Sequence, residues 1–120
     1  MTPRIHIKRV YEPAEASDGF RVLVDKLWPR GMKKENLRYD LWMKGVTPST
    51  SLRQWFHEDI PARWPQFQKK YRKELKISAE VKEFLAQLKG KKTVTLLFAS
   101  KNAMENHALI LRDFLQAALQ

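Results

Sequence analysis

The sequence predicts one α/β domain, with a small, mostly parallel central sheet and helices on both of its faces. Three observations lead to this fold class. The chain has 120 residues, enough to bury one core and few for two domains. Apolar and β-branched runs at 22–24 and 93–99 are typical of strands that are buried on both faces. Between and after these runs, apolar residues recur every three or four positions, which is typical of helices packed on such a sheet.

Three strands are predicted. Residues 5–10 (IHIKRV) alternate apolar and polar side chains, which indicates an edge strand with one solvated face. The second strand covers 20–28 and ends at Pro29, whose ring cannot extend a central ladder. The third strand covers 93–99. Outside the strands and helices, the prediction is a connecting loop at 11–19 and irregular structure at 33–46.

The first two predicted helices follow each other closely. Ser49 is the expected N-cap of a short helix that extends to Phe56, because serine accepts a hydrogen bond from a free N–H at a helix start. In the second helix, apolar residues recur every three or four positions from 59 to 75. Pro65 lies inside that pattern, so the helix either begins near this proline or is kinked there.

The third and fourth predicted helices have recognisable ends. The third runs from an N-cap at Ser78 to a stop at Gly90. The fourth is expected to begin near Asn102, because Asn102 and Glu105 resemble a capping box. Its predicted apolar stripe consists of Met104, Ala108, Leu111, Leu115 and Ala118.

Composition restricts the classes of function. Lysine and arginine outnumber aspartate and glutamate by 23 to 13, which gives a net charge of +10 and attracts anions of any kind. Without cysteine the chain has no disulfide, thiolate nucleophile or cysteine-based metal site, and it suits a reducing compartment. It also lacks a secretory signal and any apolar run of about 20 residues. We therefore expect a cytoplasmic protein without a membrane partner.

Candidate functional residues follow the two predicted central strands. Ligands of open parallel sheets bind outside the carboxyl ends of the strands, because loops and helix N-termini meet there. The segment 25–31 (DKLWPRG) follows one strand, and 100–107 (SKNAMENH) follows the other. If the strands are parallel, both segments lie at the same edge of the sheet.

The first of these segments suits an anion. The Arg30 guanidinium can bind a phosphate or carboxylate through two hydrogen bonds, and Gly31 exposes its backbone N–H. Alternatively, Arg30 pairs with Asp25 or caps a helix. Trp28 either stacks on a ligand ring or belongs to the core, and a tryptophan after a central strand more often belongs to the core.

Arg21 and Asp25 are four residues apart in the predicted second strand. They therefore share a face, where two buried opposite charges stabilise each other, and an ion pair between them is the favoured interpretation. Arg21 is also a candidate ligand-binding residue. Asp25 is a weak candidate for a general base, a role that requires burial without a partner to raise its pKa.

The start of the first helix offers a further anion site. Ser49 is a candidate for ligand binding or nucleophilic attack, although the N-cap role is favoured. Arg53 lies one turn into the helix, where it could complete an anion site with the helix N-terminus. An ion pair between Arg53 and Glu58 or Asp59 is an equal alternative.

The second segment ends in Asn106 and His107. His107 is the best candidate acid or base by residue type, since the usual pKa of histidine lies near neutrality. It also flanks the apolar stripe of the last helix, so a core histidine is the favoured interpretation. Asn106 either orients a substrate or caps the helix.

No metal and no cofactor are predicted. The three histidines, at positions 6, 57 and 107, share no ligand spacing. The four glycines are scattered singly, which excludes a glycine-rich phosphate loop. The basic run at 68–73 (QKKYRK) is either a solvated helix face or a track for a nucleic-acid backbone.

Five motifs spread along the chain resemble those of a known protein family. They are DGFRVLVDKLWPRG, PSTSLRQWF, RWPQFQKKYRKEL, TVTLLFASK and NHALIL. This combination resembles the YeaO-like proteins of domain-of-unknown-function family 488, over roughly residues 5 to 115. The resemblance implies a small cytoplasmic α/β protein of bacteria and specifies no activity. At HEDIPARWPQF (57–67) the sequence departs from the family's pattern, because an extra proline interrupts the helix.

Residue by residue, the resemblance carries over sixteen positions. They are Asp18, Gly19, Arg21, Asp25, Trp28, Pro29, Arg30, Gly31, Pro48, Ser49, Leu52, Arg53, Trp55, Phe56, Asn106 and His107. Six members of this set also lie in the two segments that the strand-end argument selects, namely Asp25, Trp28, Arg30, Gly31, Asn106 and His107.

Three functions remain open at this point. The first is a site for a small anionic ligand, phosphorylated or nucleotide-like, with or without chemistry, formed by Arg21, Trp28, Arg30, Gly31, Ser49, Arg53, Asn106 and His107. The second is a basic nucleic-acid-binding module that uses the charge of +10. The third is a non-catalytic structural or interaction protein whose charged residues form an internal network. The sequence specifies no oligomeric state.

Overall fold

The computed structural model describes residues 2–120. The chain forms four strands, β1 (Arg4–Arg9), β2 (Phe20–Leu23), β3 (Leu41–Trp42) and β4 (Thr93–Phe98). Four helices accompany them: α1 (Thr50–Glu58), α2 (Ile60–Ile77), α3 (Ala79–Leu88) and α4 (His107–Leu119). Short 3-10 helices lie at Ala16–Asp18, Lys34–Asn36 and Lys44–Val46.

The sheet has the strand order β1-β4-β2-β3, and every neighbouring pair is parallel. Ile5 of β1 pairs with Val94 of β4, and Val22 of β2 pairs with Leu96 of β4. The predicted α/β class with a parallel sheet is thus confirmed, and β1 is an edge strand as expected. The other edge, β3, lies in the stretch that the sequence analysis predicts as irregular.

The two faces of the sheet are covered differently. The buried side chains of all four helices pack in one cluster, with β-strand residues such as Val22, Val24 and Leu96. On the other face, Leu23 and Leu97 pack in a smaller cluster, which is covered by Trp28, Met32, Leu37 and Trp42. The sequence predicted helices on both faces. One face instead carries the connection between β2 and α1, because that connection brings its own apolar side chains over the sheet.

Strand β2 ends at Leu23, whereas the sequence predicted a strand to residue 28. The Val24 N–H still donates to the Leu97 carbonyl at 3.0 Å. At the next position, the Asp25 carboxylate Oδ2 accepts from the Ala99 N–H at 2.9 Å. A side chain thus takes the place of the strand backbone, and the ladder stops.

The predicted N-caps of α1 and α3 are confirmed. Ser49 Oγ accepts from the Leu52 N–H, and Ser78 Oγ accepts from the Val81 N–H, each at 3.3 Å. Helix α2 begins at Ile60, and its first turn contains Pro61. Pro65 therefore lies inside the helix, of which it is not the start. Tertiary packing outweighs the lost backbone hydrogen bond, since the apolar stripe of α2 is buried beyond this point.

Helix α4 begins four residues later than the sequence predicted. Its N-cap is Asn106, whose Oδ1 accepts from the Leu109 N–H at 3.1 Å. Asn102 closes only a local turn, in which its Oδ1 accepts from the N–H groups of Met104 and Glu105 at 3.0 and 2.9 Å. The predicted stripe fails at Met104, which is 78% exposed, and at Ala118, which is also exposed.

Candidate functional site

A cleft of about 930 Å³ opens at the carboxyl edge of the sheet. The chain leaving β1, β2 and β4 contributes to its walls, as do α1 and the first residue of α4. The segments DKLWPRG and SKNAMENH both reach it, at the shared edge that the parallel topology predicts.

The structure brings together six of the nine predicted site residues. The residues that line the cleft are Asp25, Trp28, Arg30, Arg53, Asn106 and His107. Those that do not line it are Arg21, Gly31 and Ser49.

Asp25 and His107 form a pair in this cleft. The Nε2 atom of His107 lies 3.4 Å from Oδ1 of Asp25 and 2.7 Å from the carbonyl oxygen of Val24. The side chains of Asp25 and His107 are 16% and 18% exposed, respectively. The second oxygen of Asp25 holds the Ala99 N–H. The pair therefore connects the ends of β2 and β4 to the start of α4.

Burial shifts the pKa values of both groups toward the neutral forms. It raises the pKa of Asp25, although the His107 charge, the Ala99 hydrogen bond and Arg53 act in the opposite direction. It lowers the pKa of His107, against the attraction of Asp25 and the hydrogen bond to Val24, and Arg53 lowers it further. A neutral His107 in this position could accept a proton, which is the chemistry of a general base.

Arg53 and His57 project from α1 into the same cleft, and both are exposed. The proposed ion pair of Arg53 with Glu58 or Asp59 does not form. Glu58 pairs with Arg63 at 2.8 Å, and Asp59 caps α2 by accepting from the Ala62 N–H at 3.3 Å. Burial lowers the pKa of His57, and the neighbouring charges of Arg53 and His107 lower it further.

The ammonium group of Lys26 also lies at the start of α1. Its Nζ donates to the hydroxyl of Thr50 at 2.9 Å, in the first turn of the helix. That turn contains no acidic residue, whereas the N-cap Ser49 is held by Glu74, which accepts from the Ser49 N–H and hydroxyl at 2.8 and 2.6 Å. The Ser49 hydroxyl is thus fully engaged, which fits the favoured N-cap role.

The chain beyond β1 forms a further wall. The Arg9 guanidinium donates to the carbonyls of Ser100 and Ala99 at 2.9 and 3.2 Å. The Tyr11 hydroxyl donates to the Arg30 carbonyl at 2.8 Å, and the Arg9 guanidinium lies 4.9 Å from the centre of the Tyr11 ring. These contacts hold the segment 25–31 (DKLWPRG) against the end of β1 and leave the Arg30 side chain exposed.

Trp28 is shared between the cleft and the second core cluster. Its indole N–H donates to the Met32 carbonyl at 2.5 Å, and its ring meets Tyr39 and Trp42 edge to face. The core interpretation of this residue is therefore supported by its packing. Asn106 likewise has both ends of its amide engaged, because Nδ2 donates to the Asn102 carbonyl at 2.8 Å while Oδ1 caps α4.

Arg21 belongs to a separate buried network. Its guanidinium donates to the Asp18 carboxylate, which also accepts from Lys8 Nζ at 2.9 Å. The predicted Arg21–Asp25 pair is wrong, because four residues along a strand span about 13 Å and put the two side chains out of reach. Gly31 has a φ of 76°, and nothing lies within 4 Å of the position where a Cβ would be.

The residues of the cleft that the sequence analysis did not select include Arg9, Tyr11, Lys26 and His57. Arg9 and Tyr11 end or follow β1, so the strand-end rule would have found them if it had been applied to the edge strand as well. Nothing in the local sequence marks His57, because its place depends on how α1 packs over the sheet.

Within residues 2–120, no three histidine, aspartate or glutamate side chains come together in a group that could hold a metal ion. None of the helices in that range combines the length and apolar character that a membrane crossing requires.

The fold and the cleft define a class: a small α/β domain with a cation-rich pocket at the carboxyl edge of a parallel sheet. The chain belongs to the DUF488 family, and residues 4–120 match the description "Inactive DUF488-N3 subclade". No solved structure matches this chain.

Curated relatives extend over nearly the whole chain. It is 47% identical over 113 residues to the "Uncharacterized protein YeaO" of Escherichia coli (strain K12), which covers 94% of this chain and 97% of the relative. It is 40% identical over 112 residues to uncharacterized proteins of Mycobacterium tuberculosis (strain ATCC 25618 / H37Rv) and Mycobacterium bovis (strain ATCC BAA-935 / AF2122/97), with 93% of each chain covered. The resemblance to YeaO-like proteins is thereby confirmed.

Proposed function

We propose that the protein binds a small phosphorylated molecule in the cleft at the carboxyl edge of its sheet, without turning it over. The observation that carries this proposal is the charge of the walls. Five cationic side chains line the cleft, against two carboxylates, Asp25 and Glu105. The five are Arg9, Lys26, Arg30, Arg53 and Lys101.

Both carboxylates already interact with other groups of the protein. Asp25 holds the Ala99 N–H and faces His107, and Glu105 accepts from the Asn102 amide at 3.4 Å. Within residues 2–120, Arg30 and Arg53 form no ion pair. Two exposed guanidiniums in a concave site suit a phosphate, because each can donate two parallel hydrogen bonds to it.

Binding without catalysis agrees with the way the acid–base candidates are used. Asp25 and His107 both bond to backbone groups that hold strand ends in place, which gives each of them a structural role. The family description that matches the chain contains the word "Inactive". The proposal therefore assigns the pair to the architecture of the site.

Calorimetric titration with ribose 5-phosphate, in a low-salt buffer without phosphate, tests this function. We expect saturable binding at one site, and we expect Arg53→Gln to weaken it by about tenfold or more, since a charge-assisted hydrogen bond contributes about 1.5–3 kcal/mol. Arg72→Gln is the matched control, because Arg72 is also exposed, lies on α2 and does not line the cleft. Both variants lose one positive charge.

Two results would contradict the proposal. One is equal weakening in the Arg53 and Arg72 variants, which would indicate a diffuse charge effect and favour a nucleic-acid-binding module. The other is conversion of ribose 5-phosphate to free phosphate during incubation, which phosphorus NMR would detect and which Asp25→Asn would abolish.

A further inference from the structure

We propose that the ligand of this cleft is a nucleoside phosphate, whose base stacks on the ring of Tyr11 while its phosphate faces Arg53. This inference rests on the phosphate site proposed above and adds the chemical class of the molecule that carries the phosphate. Three observations support it: the size of the cleft, the state of the Tyr11 ring, and the placement of Arg53 on a different element.

The cleft is too large for a bare anion. Its volume of about 930 Å³ lies near the upper end of the range of about 300–1,000 Å³ over which pockets enclose whole small molecules. Its walls also contain apolar groups, among them Leu27, Pro29, Pro48 and Ile60. A phosphate would occupy a small part of this space, so the ligand has an uncharged body.

Tyr11 presents an aromatic surface that the fold does not use. The ring belongs to neither core cluster and is 43% exposed. Its hydroxyl is taken by the Arg30 carbonyl, and the Arg9 guanidinium covers part of the ring. Both contacts fix the ring in place, and its exposed surface offers stacking to a planar group without offering a hydrogen bond. Nucleobases of every type have such a planar face.

The cationic end of the site lies on a different element. Arg53 is on α1 and lines the cleft together with Asp25, whereas Tyr11 follows β1. Lys26 at the first turn of α1 adds a second cation at the phosphate end.

Calorimetric titrations with the monophosphates of adenosine, guanosine, cytidine and uridine test the assignment, with ribose 5-phosphate and adenosine as probes that lack the base or the phosphate. We expect the nucleotides to bind at least about five times more tightly than ribose 5-phosphate, as base stacking on an aromatic ring contributes. Tyr11→Leu should remove this difference. Tyr11→Phe is the matched control, because it keeps the ring and loses only the hydroxyl.

Each outcome decides a separate point. If ribose 5-phosphate binds as tightly as the nucleotides and Tyr11→Leu changes neither affinity, the stacking proposal is overturned and the phosphate site stands. If wild-type protein binds no phosphate probe, the phosphate site fails as well. Circular dichroism verifies that the Tyr11 variants fold. We expect them to do so, because Tyr11 belongs to neither core cluster.

A single-stranded oligonucleotide with a 5′-phosphate distinguishes the two sources of the same group. Tighter binding than the mononucleotide would assign the nucleoside phosphate to the end of a strand. Weaker binding would assign it to a free nucleotide. In either case the Tyr11→Leu variant should lose affinity.

Discussion

The Nε2 atom of His107 faces two acceptors, Oδ1 of Asp25 at 3.4 Å and the carbonyl oxygen of Val24 at 2.7 Å. Since neither neighbour can donate a hydrogen when Asp25 is ionised, the proton of the neutral imidazole resides on Nε2 and Nδ1 is the acceptor. Within residues 2–120, no buried side-chain nitrogen or oxygen lacks a hydrogen-bond partner. The proton arrangement of the pair is therefore fixed by the backbone around it.

This arrangement predicts that stability falls as the pH is lowered from about 7 to about 5. Burial lowers the pKa of His107, so the unfolded chain takes up this proton, at a pKa of about 6.5, before the folded protein does. The loss from one such group is limited to about 1.4 kcal/mol per pH unit. Urea unfolding at several pH values should give a flatter dependence for His107→Gln than for the wild type.

Two other titratable groups, His57 and Asp25, also contribute to the pH dependence of stability. Burial also lowers the pKa of His57, which adds a loss of the same sign to both proteins. Burial raises the pKa of Asp25, so the folded state takes up that proton first and gains stability as the pH falls toward 4. His6→Gln, at an exposed position of β1, is the control. An unchanged slope in His107→Gln would contradict the assignment.

The buried network around Asp18 predicts a large loss of stability in Asp18→Asn. Asp18 is 6% exposed, and its carboxylate accepts from Arg21, from Lys8 Nζ and from the Glu15 N–H. Removing its charge leaves the 4% exposed Arg21 without a counter-ion, which costs about 3–5 kcal/mol. Asp113→Asn, in the exposed Arg112–Asp113 pair, should cost less than about 1 kcal/mol. Equal costs in the two variants would refute this view of the network.

The same network has a signature at acid pH. Burial alone would raise the pKa of Asp18, but the hydrogen bonds from Lys8, Glu15 and Arg21 outweigh it and lower the pKa. The folded state therefore holds the ionised form at pH values where the unfolded chain has already taken up a proton. The stabilisation is complete above a pH of about 4 and is lost as the pH falls below it. Urea unfolding between pH 5 and about 2 should show this loss, and Asp18→Asn should lack it.

How far the fold could be predicted from the sequence depended on the length of each element. The helices α1 to α3 have hydrophobic patterns long enough to show a period, and β2 and β4 contain continuous apolar runs that are typical of buried strands. The two-residue strand β3 shows none. It forms because Asp40 and Arg21 exchange hydrogen bonds, the Arg21 N–H to the Asp40 carboxylate and the Asp40 N–H to the Arg21 carbonyl, each at 2.8 Å. Such a tertiary contact leaves no local signal.

The candidate site could also be predicted only in part. The edge of the sheet where the cleft lies could be predicted, since parallel topology determines where strand ends meet. The partners of individual charged residues could not. Arg21 was matched with Asp25 because they share a strand face, but β2 ends at Leu23 and the partner is Asp18, which lies on the preceding 3-10 helix. Charge pairing depends on distances of a few ångströms, which spacing along the chain does not specify.

Gly19 is the glycine whose substitution should be least tolerated. Its φ is 65°, and an added Cβ would lie 2.4 Å from the backbone oxygen of Thr93, at the start of β4. Gly90 has a φ of 86°, with nothing within 4 Å of the same position. Gly90→Ala should therefore cost about 1–2 kcal/mol of backbone strain, and Gly19→Ala should cost clearly more. Thermal unfolding of both variants measures the difference, and a smaller loss in Gly19→Ala would contradict the geometry.

The charge of the cleft predicts that anion affinity rises as the pH falls. His57 lies exposed beside Arg53, and its pKa is lowered by burial and by the charges of Arg53 and His107. When the pH falls below this lowered pKa, His57 gains a positive charge that attracts an anion in the same cleft. Sulfate is the appropriate probe, because its charge stays constant between about pH 5 and about pH 8, whereas that of a phosphate ester does not.

We expect sulfate to bind more tightly at pH 5 than at pH 8, as measured by calorimetry at constant ionic strength. His57→Gln should reduce this gain, whereas Arg53→Gln should weaken binding at both pH values because its guanidinium stays charged throughout. His6→Gln, outside the cleft, controls for the loss of a histidine. A gain of the same size in His57→Gln and in the wild type would exclude His57 as its source. The proton would then be taken up by Asp25 or His107, the two other titratable groups that Arg53 influences.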